Sequence, residues 1–202
     1  LLPQHRNLIS GAGAGISSAA IQAQIAANCS SVIQGNLIGT DRTGTLALAN
    51  RTGISLSRSE VPLGANGLLI GGLTSAARNV ISGNLRSGIA INCSSTGGDD
   101  RCANGTLILG NYIGTRADGE GALGNGSEFL YPGISFYQVA DSNTRVQIGG
   151  TDAGAGNRIA YNTRYGIGHS YLNGHGTLVI GGNQMFANGT RGIATAGRTN
   201  DP

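Results

Sequence analysis

Apolar residues in this chain come in short alternating clusters separated by Gly, Asn and Ser; Val80-Ile81 and the pair Ile89 and Ile91 are examples. Alternation with period two places every second side chain on one face and predicts strands. The Gly, Asn and Ser between clusters predict tight turns. No stretch carries the 3.6-residue period over ten or more positions that a helix needs, so the pattern predicts an all-β protein of many short strands.

The clusters repeat. RNLISG at 6–11, RNVISG at 78–83 and NRIAYN at 157–162 open three units, each continuing to a Gly-Ile step at Ile16, Ile89 or Ile167. VIQGN (32–36), LILGN (107–111) and LVIGGN (178–183) follow, then ALANRTGI (47–54), ALGNGSEFLYPGI (122–134) and MFANGTRGI (185–193). LLIGG (68–72) and VQIGG (146–150) close the first two units. Counted from Arg6 to Arg78 and then to Asn157, these units are 72 and 79 residues long. The third is shorter, running from Asn183 to Asn188 without the loop that appears earlier as IGTDRTGT and IGTRADGEG. Fixed-period repeats whose Ile, Leu and Val recur in columns predict a solenoid in which each turn covers the next. The expected organisation is a single domain over 1–202, with super-repeats at about 6–77, 78–156 and 157–202. At roughly 24 residues per turn it would make about eight turns, a rod roughly 40 Å long at the usual strand spacing. Inward aliphatics would fill the lumen, and Asn36, Asn84, Asn111 and Asn183 are candidates for corner ladders in which each amide bonds the next.

The string GNLIGTDRTGTLALAN, with the Gly-Ile, IGG and RNVISGN that follow it, resembles the right-handed parallel β-helix repeats of large secreted bacterial proteins in the pectate-lyase-like superfamily. The resemblance covers nearly the whole chain and implies a right-handed parallel β-helix. It implies no single activity, because that fold carries lyases, hydrolases, epimerases, adhesins and inert stalks.

Composition narrows the partners. Glycine is frequent (36 residues) and only 11% of residues are charged, but 39% are hydrophobic, which excludes a disordered chain. The net charge of +3 comes from 13 arginines and no lysine, spread from Arg6 to Arg198. No basic cluster interleaved with aromatics stands out, so nucleic acid is not an expected partner; a weak contact with anionic glycans fits better. No apolar run approaches the roughly 20 residues of a helical membrane span.

Candidate chemistry is sparse. Asp99-Asp100 lie in the Gly-rich STGGDDRC, and Asp41 and Asp118 in TDRTG and RADGEG; all four read as turn residues. RYGIGHSYLNGHG at 164–176 gathers Tyr165, His169, Tyr171 and His175. YGIGH is loosely similar to the Tyr-Gly-hydrophobic-Asp-Pro-His motif of alginate epimerases, which implies Tyr165 and His169 as acid and base. Gly168 replaces its Asp, however, and the Pro is missing. Gly174-His175-Gly176 is similar to a polygalacturonase motif but lacks the paired aspartates of hydrolysis. Tyr165, His169 and His175 are thus catalytic candidates to set against a plain surface patch. No metal site or cofactor is expected.

Cys93 and Cys102 bracket a short loop and are the expected disulfide, stabilising by about 2–3 kcal/mol; Cys29 is left over as a buried or intermolecular residue. Asn28, Asn50, Asn92, Asn104, Asn125 and Asn188 each begin Asn-X-Ser/Thr. Asn50, Asn125 and Asn188 share one phase of the repeat, and Asn28 and Asn104 another, while Asn173 has lost the motif. In-phase sites are expected to project outward as glycan columns, or else to be corner residues that repeat with the unit. These features favour a secreted or cell-surface, non-catalytic stalk, coat or fibre segment that stacks end to end on itself. The competing expectation is a polysaccharide lyase, an epimerase or a glycan-binding module.

Overall fold

In a computed structural model of the chain, residues 6–12, 19–23, 31–57, 67–92, 103–127, 131–137, 145–169 and 177–195 are described. The first turn comprises β1 (Leu8–Ile9), β2 (Ala19–Ala23) and β3 (Ser31–Ile33), and the second β4 (Leu37–Ile38), β5 (Thr52–Ser57) and β6 (Leu68–Gly71). The third has β7 (Val80–Ile81), β8 (Ile89–Asn92) and β9 (Thr106–Leu109), and the fourth β10 (Tyr112–Ile113), β11 (Ile134–Tyr137) and β12 (Arg145–Gly149). Then come β13 (Arg158–Ala160), β14 (Tyr165–His169) and β15 (Thr177–Gly181), and finally β16 (Gln184–Phe186) and β17 (Arg191–Thr195). Every third strand pairs in parallel, which builds three sheets: β1-β4-β7-β10-β13-β16, β2-β5-β8-β11-β14-β17 and β3-β6-β9-β12-β15. The chain is an all-β parallel β-helix.

Register stacks like on like. Ile9, Ile38, Ile81, Ile113 and Ile159 form one inward column in the first sheet. Ile21, Ile54, Ile89, Ile134, Ile167 and Ile193 form another in the second. Ile33, Ile70, Ile108, Ile148 and Ile180 form the third. The middle members are fully buried, each stabilising by about 1.5–3 kcal/mol. In the first unit the column is filled by Ile21; the expected Ile16 lies outside the described residues.

Two asparagine ladders flank the first sheet. Asn7, Asn36, Asn79, Asn111, Asn157 and Asn183 form one, each donating Nδ2 to the Oδ1 of the next at 2.9–3.0 Å. Asn50, Asn84, Asn125, Asn162 and Asn188 form the other at 2.9–3.1 Å. The expected corner residues are therefore all ladder residues, but Asn84 belongs to a different ladder from Asn36, Asn111 and Asn183. Inside the wall the ladder amides from Asn50 onward also donate to a carbonyl of the previous turn, as Asn111 does to Ile70 and Asn157 to Ile108. Buried polar atoms need such partners.

The first ladder measures the turns: successive rungs lie 29, 43, 32, 46 and 26 residues apart. The described residues thus make five complete turns and two strands of a sixth, and each full super-repeat is two turns, one short and one long. The expectation of about eight turns is corrected, because every turn is longer than the roughly 24 residues assumed, from 26 to 46. Six rungs span about 24 Å at ordinary strand spacing. The extra length of the long turns sits partly between the ladders. Asn79 to Asn84, Asn157 to Asn162 and Asn183 to Asn188 take five steps, whereas Asn36 to Asn50 and Asn111 to Asn125 take fourteen.

Those fourteen steps contain a hairpin excursion. Antiparallel bridges Thr40–Ala47 and Thr115–Ala122 close the two copies. The Asp41 carboxylate accepts from the Thr43 hydroxyl and the Thr45 and Leu46 N–H groups. Asp118 accepts from the Glu120 and Gly121 N–H groups. These bonds pull the Asp41 pKa down to about 2 and lower that of Asp118, as the turn expectation for both requires. The copies touch: Ala117 N–H donates to the Gly44 carbonyl across the short turn between them. The second copy folds back over the first sheet. A Cβ at Gly119 would sit 2.8 Å from the Tyr112 ring, Glu120 pairs with Arg158 at 3.0 Å, and Tyr161 Oη donates to the Glu120 carbonyl.

Candidate functional site

The Tyr165–His169 pair does not form a surface site. In β14, Ile167 and His169 share the inward face, so His169 occupies the lumen column above Leu56, Ile91 and Phe136. Its ring stacks on Phe136 at 5.9 Å, its exposure is 7%, and among the described residues neither nitrogen has a hydrogen-bond partner. Burial lowers its pKa, so the ring is held neutral. Tyr165, four positions earlier, is half-buried at the corner leading into the strand, with Arg164 over its ring at 4.7 Å. His175 and Tyr171 lie outside the described residues. The two residues that the motif resemblance paired share the strand's parity, but four steps along it, about 13 Å, separate them: Tyr165 stands at the corner and His169 inside the lumen.

This placement makes a stability prediction. A neutral His with its folded pKa depressed contributes fully above the unfolded value near 6.5, and stability falls as pH drops below it because the unfolded chain binds the proton more readily. His169→Leu should raise stability by about 1–2 kcal/mol and remove that part of the acid sensitivity. Thermal unfolding between pH 7 and pH 5 measures both; a variant less stable than the wild type at pH 7 would contradict the placement.

The in-phase sequons are not outward columns. Asn50 and Asn125 are fully buried ladder members. The Nδ2 that would carry a glycan donates to the Ile9 carbonyl and Asn84 in one case, and to the Ile81 carbonyl and Asn162 in the other. Asn188 continues the same ladder, donating Nδ2 to the Ile159 carbonyl. Their shared phase is that of the wall, which corrects the expectation of outward projection. Asn92 is exposed at the end of β8, and Asn104 is half-buried with its Oδ1 accepting from the Arg145 N–H. Asn28, Cys29, Cys93, Cys102, Asp99 and Asp100 lie outside the described residues. Among the described residues no group of three His, Cys, Asp or Glu could hold a metal.

What the structure does assemble is an arginine–tyrosine stripe where the chain passes from the second Asn ladder into the second sheet. Arg51, Arg86, Arg164 and Arg191 follow Asn50, Asn84, Asn162 and Asn188 by one to three positions, in the second, third, fifth and sixth turns. Tyr131 supplies the fourth turn. The Arg86 N–H donates to the Arg51 carbonyl and the Thr190 N–H to the Arg164 carbonyl, both at 2.7 Å, so neighbours are on adjacent rungs. Tyr165 is in register with Arg191. The Arg86 guanidinium lies 5.2 Å over the Tyr131 ring. Comparison with family models, with curated proteins and with solved structures finds no match.

The chemistry must accordingly be taken from the chain itself. A guanidinium laid flat on an aromatic face is fixed in orientation. A second set of such contacts, Arg78 over Tyr112 at 4.2 Å and Arg158 over Phe186 at 5.1 Å, runs along the outside of the first sheet. There Arg158 is neutralised by Glu120, and the set fastens the excursion. Sequence reasoning missed the stripe because Arg51, Arg86, Arg164 and Arg191 are irregularly spaced; only the ladder phase, which puts each within three positions after a second-ladder Asn, could have aligned them.

Proposed function

We propose that the chain is a non-catalytic structural segment of a secreted or cell-surface protein, a stalk, coat or fibre element related to the pectate-lyase-like β-helices. The observation that carries this reading is the pair of continuous Asn ladders clamped around an isoleucine-filled lumen, a construction suited to a stiff rod. Burial of His169 in that lumen counts against the competing lyase or epimerase, which would need an accessible base near its substrate. End-to-end stacking on further copies belongs to the same reading: Ile193, the last described member of its lumen column, is 42% exposed. Glycans on Asn92 and Asn104 belong to the same extracellular reading.

Incubation with a panel of uronate polysaccharides, followed by absorbance of unsaturated products, tests the catalytic question. No product is expected; product formation abolished by Tyr165→Phe would overturn the reading. Electron microscopy of the chain tests stacking. Fibres with an axial repeat of about one rod are expected, whereas a dispersed monomer at high concentration would remove the stacking element alone.

A further inference from the structure

We propose that the second excursion is a strap with a fixed base and a tip that opens. Shut, it covers Tyr112 and Arg158 on the outer face of the first sheet, and its catch is Glu120. This goes beyond the structural role and holds whether the chain is a stalk or an enzyme.

The base is built into the wall. Where the chain leaves the first sheet it strands a carbonyl, that of Thr40 in the first excursion and of Thr115 in the second, and both residues are fully buried. A serine of the preceding short turn takes each one: Ser10 Oγ donates to the Thr40 carbonyl and Ser82 Oγ to the Thr115 carbonyl, both at 2.7 Å. The same hydroxyls accept from the Gly39 and Gly114 N–H groups. In the fifth turn the equivalent residue is Ala160, and the sixth turn has no excursion there: Phe186 stays in the sheet, in register with Ala160. The hydroxyl is present where the following turn leaves the sheet and absent where it does not, as buried carbonyls require.

The tips are held differently. In the first excursion Thr45 turns back on its own hairpin, its N–H donating to the Asp41 carboxylate and its hydroxyl bonded to that of Thr43. In the second copy the equivalent of Thr45 is Glu120, and in the turn above it Arg158 and Tyr161 replace the equivalents Val80 and Gly83. These three changes meet. The Glu120 carboxylate pairs with Arg158 at 3.0 Å, and its carbonyl accepts from Tyr161 Oη at 2.9 Å. Tyr161 reaches it from φ +60°, a left-handed conformation that smaller residues, Gly11, Gly83 and Ala187, occupy at the equivalent corners. That conformation is costly for a bulky side chain, and such strain persists where the surroundings hold it to a purpose.

Both links of the catch lie at the surface. The Glu120 side chain is 73% exposed, so its ion pair is weak and screened by salt. Breaking the links leaves the seat on Ser82 and the Thr115–Ala122 bridge in place. Gly119 then lifts from the Tyr112 ring, from which a Cβ would sit at 2.8 Å. The face uncovered carries Tyr112 under the Arg78 guanidinium and in register with Arg158.

The test is nitration of Tyr112 by tetranitromethane in the full chain, read by peptide mapping with Tyr165 as an internal reference. Raising salt from 50 to 500 mM should speed the reaction at Tyr112 by about threefold, the scale of an exposed ion pair, and leave Tyr165 unchanged. Glu120→Gln should give the faster rate at both salts, and Arg158→Gln should match it. Arg158→Lys keeps the charge and should restore most of the protection and the salt response. Tyr161→Phe should raise the rate at both salts while the salt response remains. Hydrogen exchange reads the base through the Leu123 N–H, which donates to the Gly114 carbonyl. Ser82→Ala should speed that exchange, and Glu120→Gln should not. The proposal is overturned by a wild-type rate that salt leaves unchanged, by a Glu120→Gln variant as protected as the wild type, or by an Arg158→Lys variant no better than Arg158→Gln. Loosening of the base together with the tip in Glu120→Gln would overturn it too, since the excursion would then move as one unit.

Discussion

Asn111→Ala should cost about 3–5 kcal/mol of stability, far more than its small change in volume. The side chain is fully buried at the middle of the first ladder. Its Oδ1 accepts from the Asn79 N–H at 3.3 Å and from Asn79 Nδ2 at 2.9 Å. Its Nδ2 is shared among the carbonyls of Ile70 and Leu109 and the Oδ1 of Asn157, at 2.9–3.0 Å. Truncation strands the Asn79 N–H and the Ile70 carbonyl in a wall that water does not reach, and stranded buried groups incur their full desolvation penalty. Asn111→Asp separates hydrogen bonding from size. An ionised carboxylate there would face three acceptors, so its folded pKa must rise above the unfolded value. Its stability relative to the wild type should therefore fall as pH rises through the unfolded carboxylate range. Asn7→Ala, on the exposed first rung, should cost less than about 1 kcal/mol. Chemical denaturation of the three variants at pH 4 and pH 7 measures this; equal losses at Asn7 and Asn111 would refute the ladder as a source of stability.

Gly114→Ala should be comparably damaging, by about 3 kcal/mol or more. Gly114 has φ +90°, and a Cβ there would overlap the Ala160 carbonyl and the Asn162 amide of the next turn. Left-handed strain and overlap with a ladder member therefore combine. Two other glycines separate these effects. Gly11 has φ +76° with nothing near a Cβ, so its alanine variant should lose only about 1–2 kcal/mol. Gly181 in β15 has neither constraint, and Gly181→Ala should fall within about 0.5 kcal/mol of the wild type. The order Gly114, Gly11, Gly181 in thermal unfolding is the expected result; a Gly181 variant as unstable as the Gly114 variant would contradict the register.

The sequence showed the strands and the lumen because period-two alternation is a direct imprint of burial: Ile89 and Ile91, and Ile167 and His169, face inward as their spacing requires. That same parity could have placed His169 in the lumen, but the likeness of YGIGH to a catalytic motif drew attention to chemistry instead of to face. Turn number was not legible from a generic length of roughly 24 residues, because the ladders fix only two points per turn and the chain between them makes every turn longer, from 26 to 46 residues. The sequons misled for a related reason. Asn50 and Asn125 recur in phase because a wall needs an amide at each rung, and the Thr or Ser two positions later accompanies a corner. The stripe was hidden because its order exists only across turns, never along the chain.

The ladder spacing also says something about how such a molecule acquires its structure. Each rung is built on a neighbour 26 to 46 residues away, and lengthening the solenoid would add rungs without adding more distant partners. Loop-closure entropy is therefore met in similar instalments, one turn at a time, and growth can proceed from any formed pair of turns in either direction. Propagation of this kind makes folding time grow with the number of turns rather than with the reach of the most distant contact. It also makes a defect such as Asn111→Ala a local stop, on either side of which turns remain able to form.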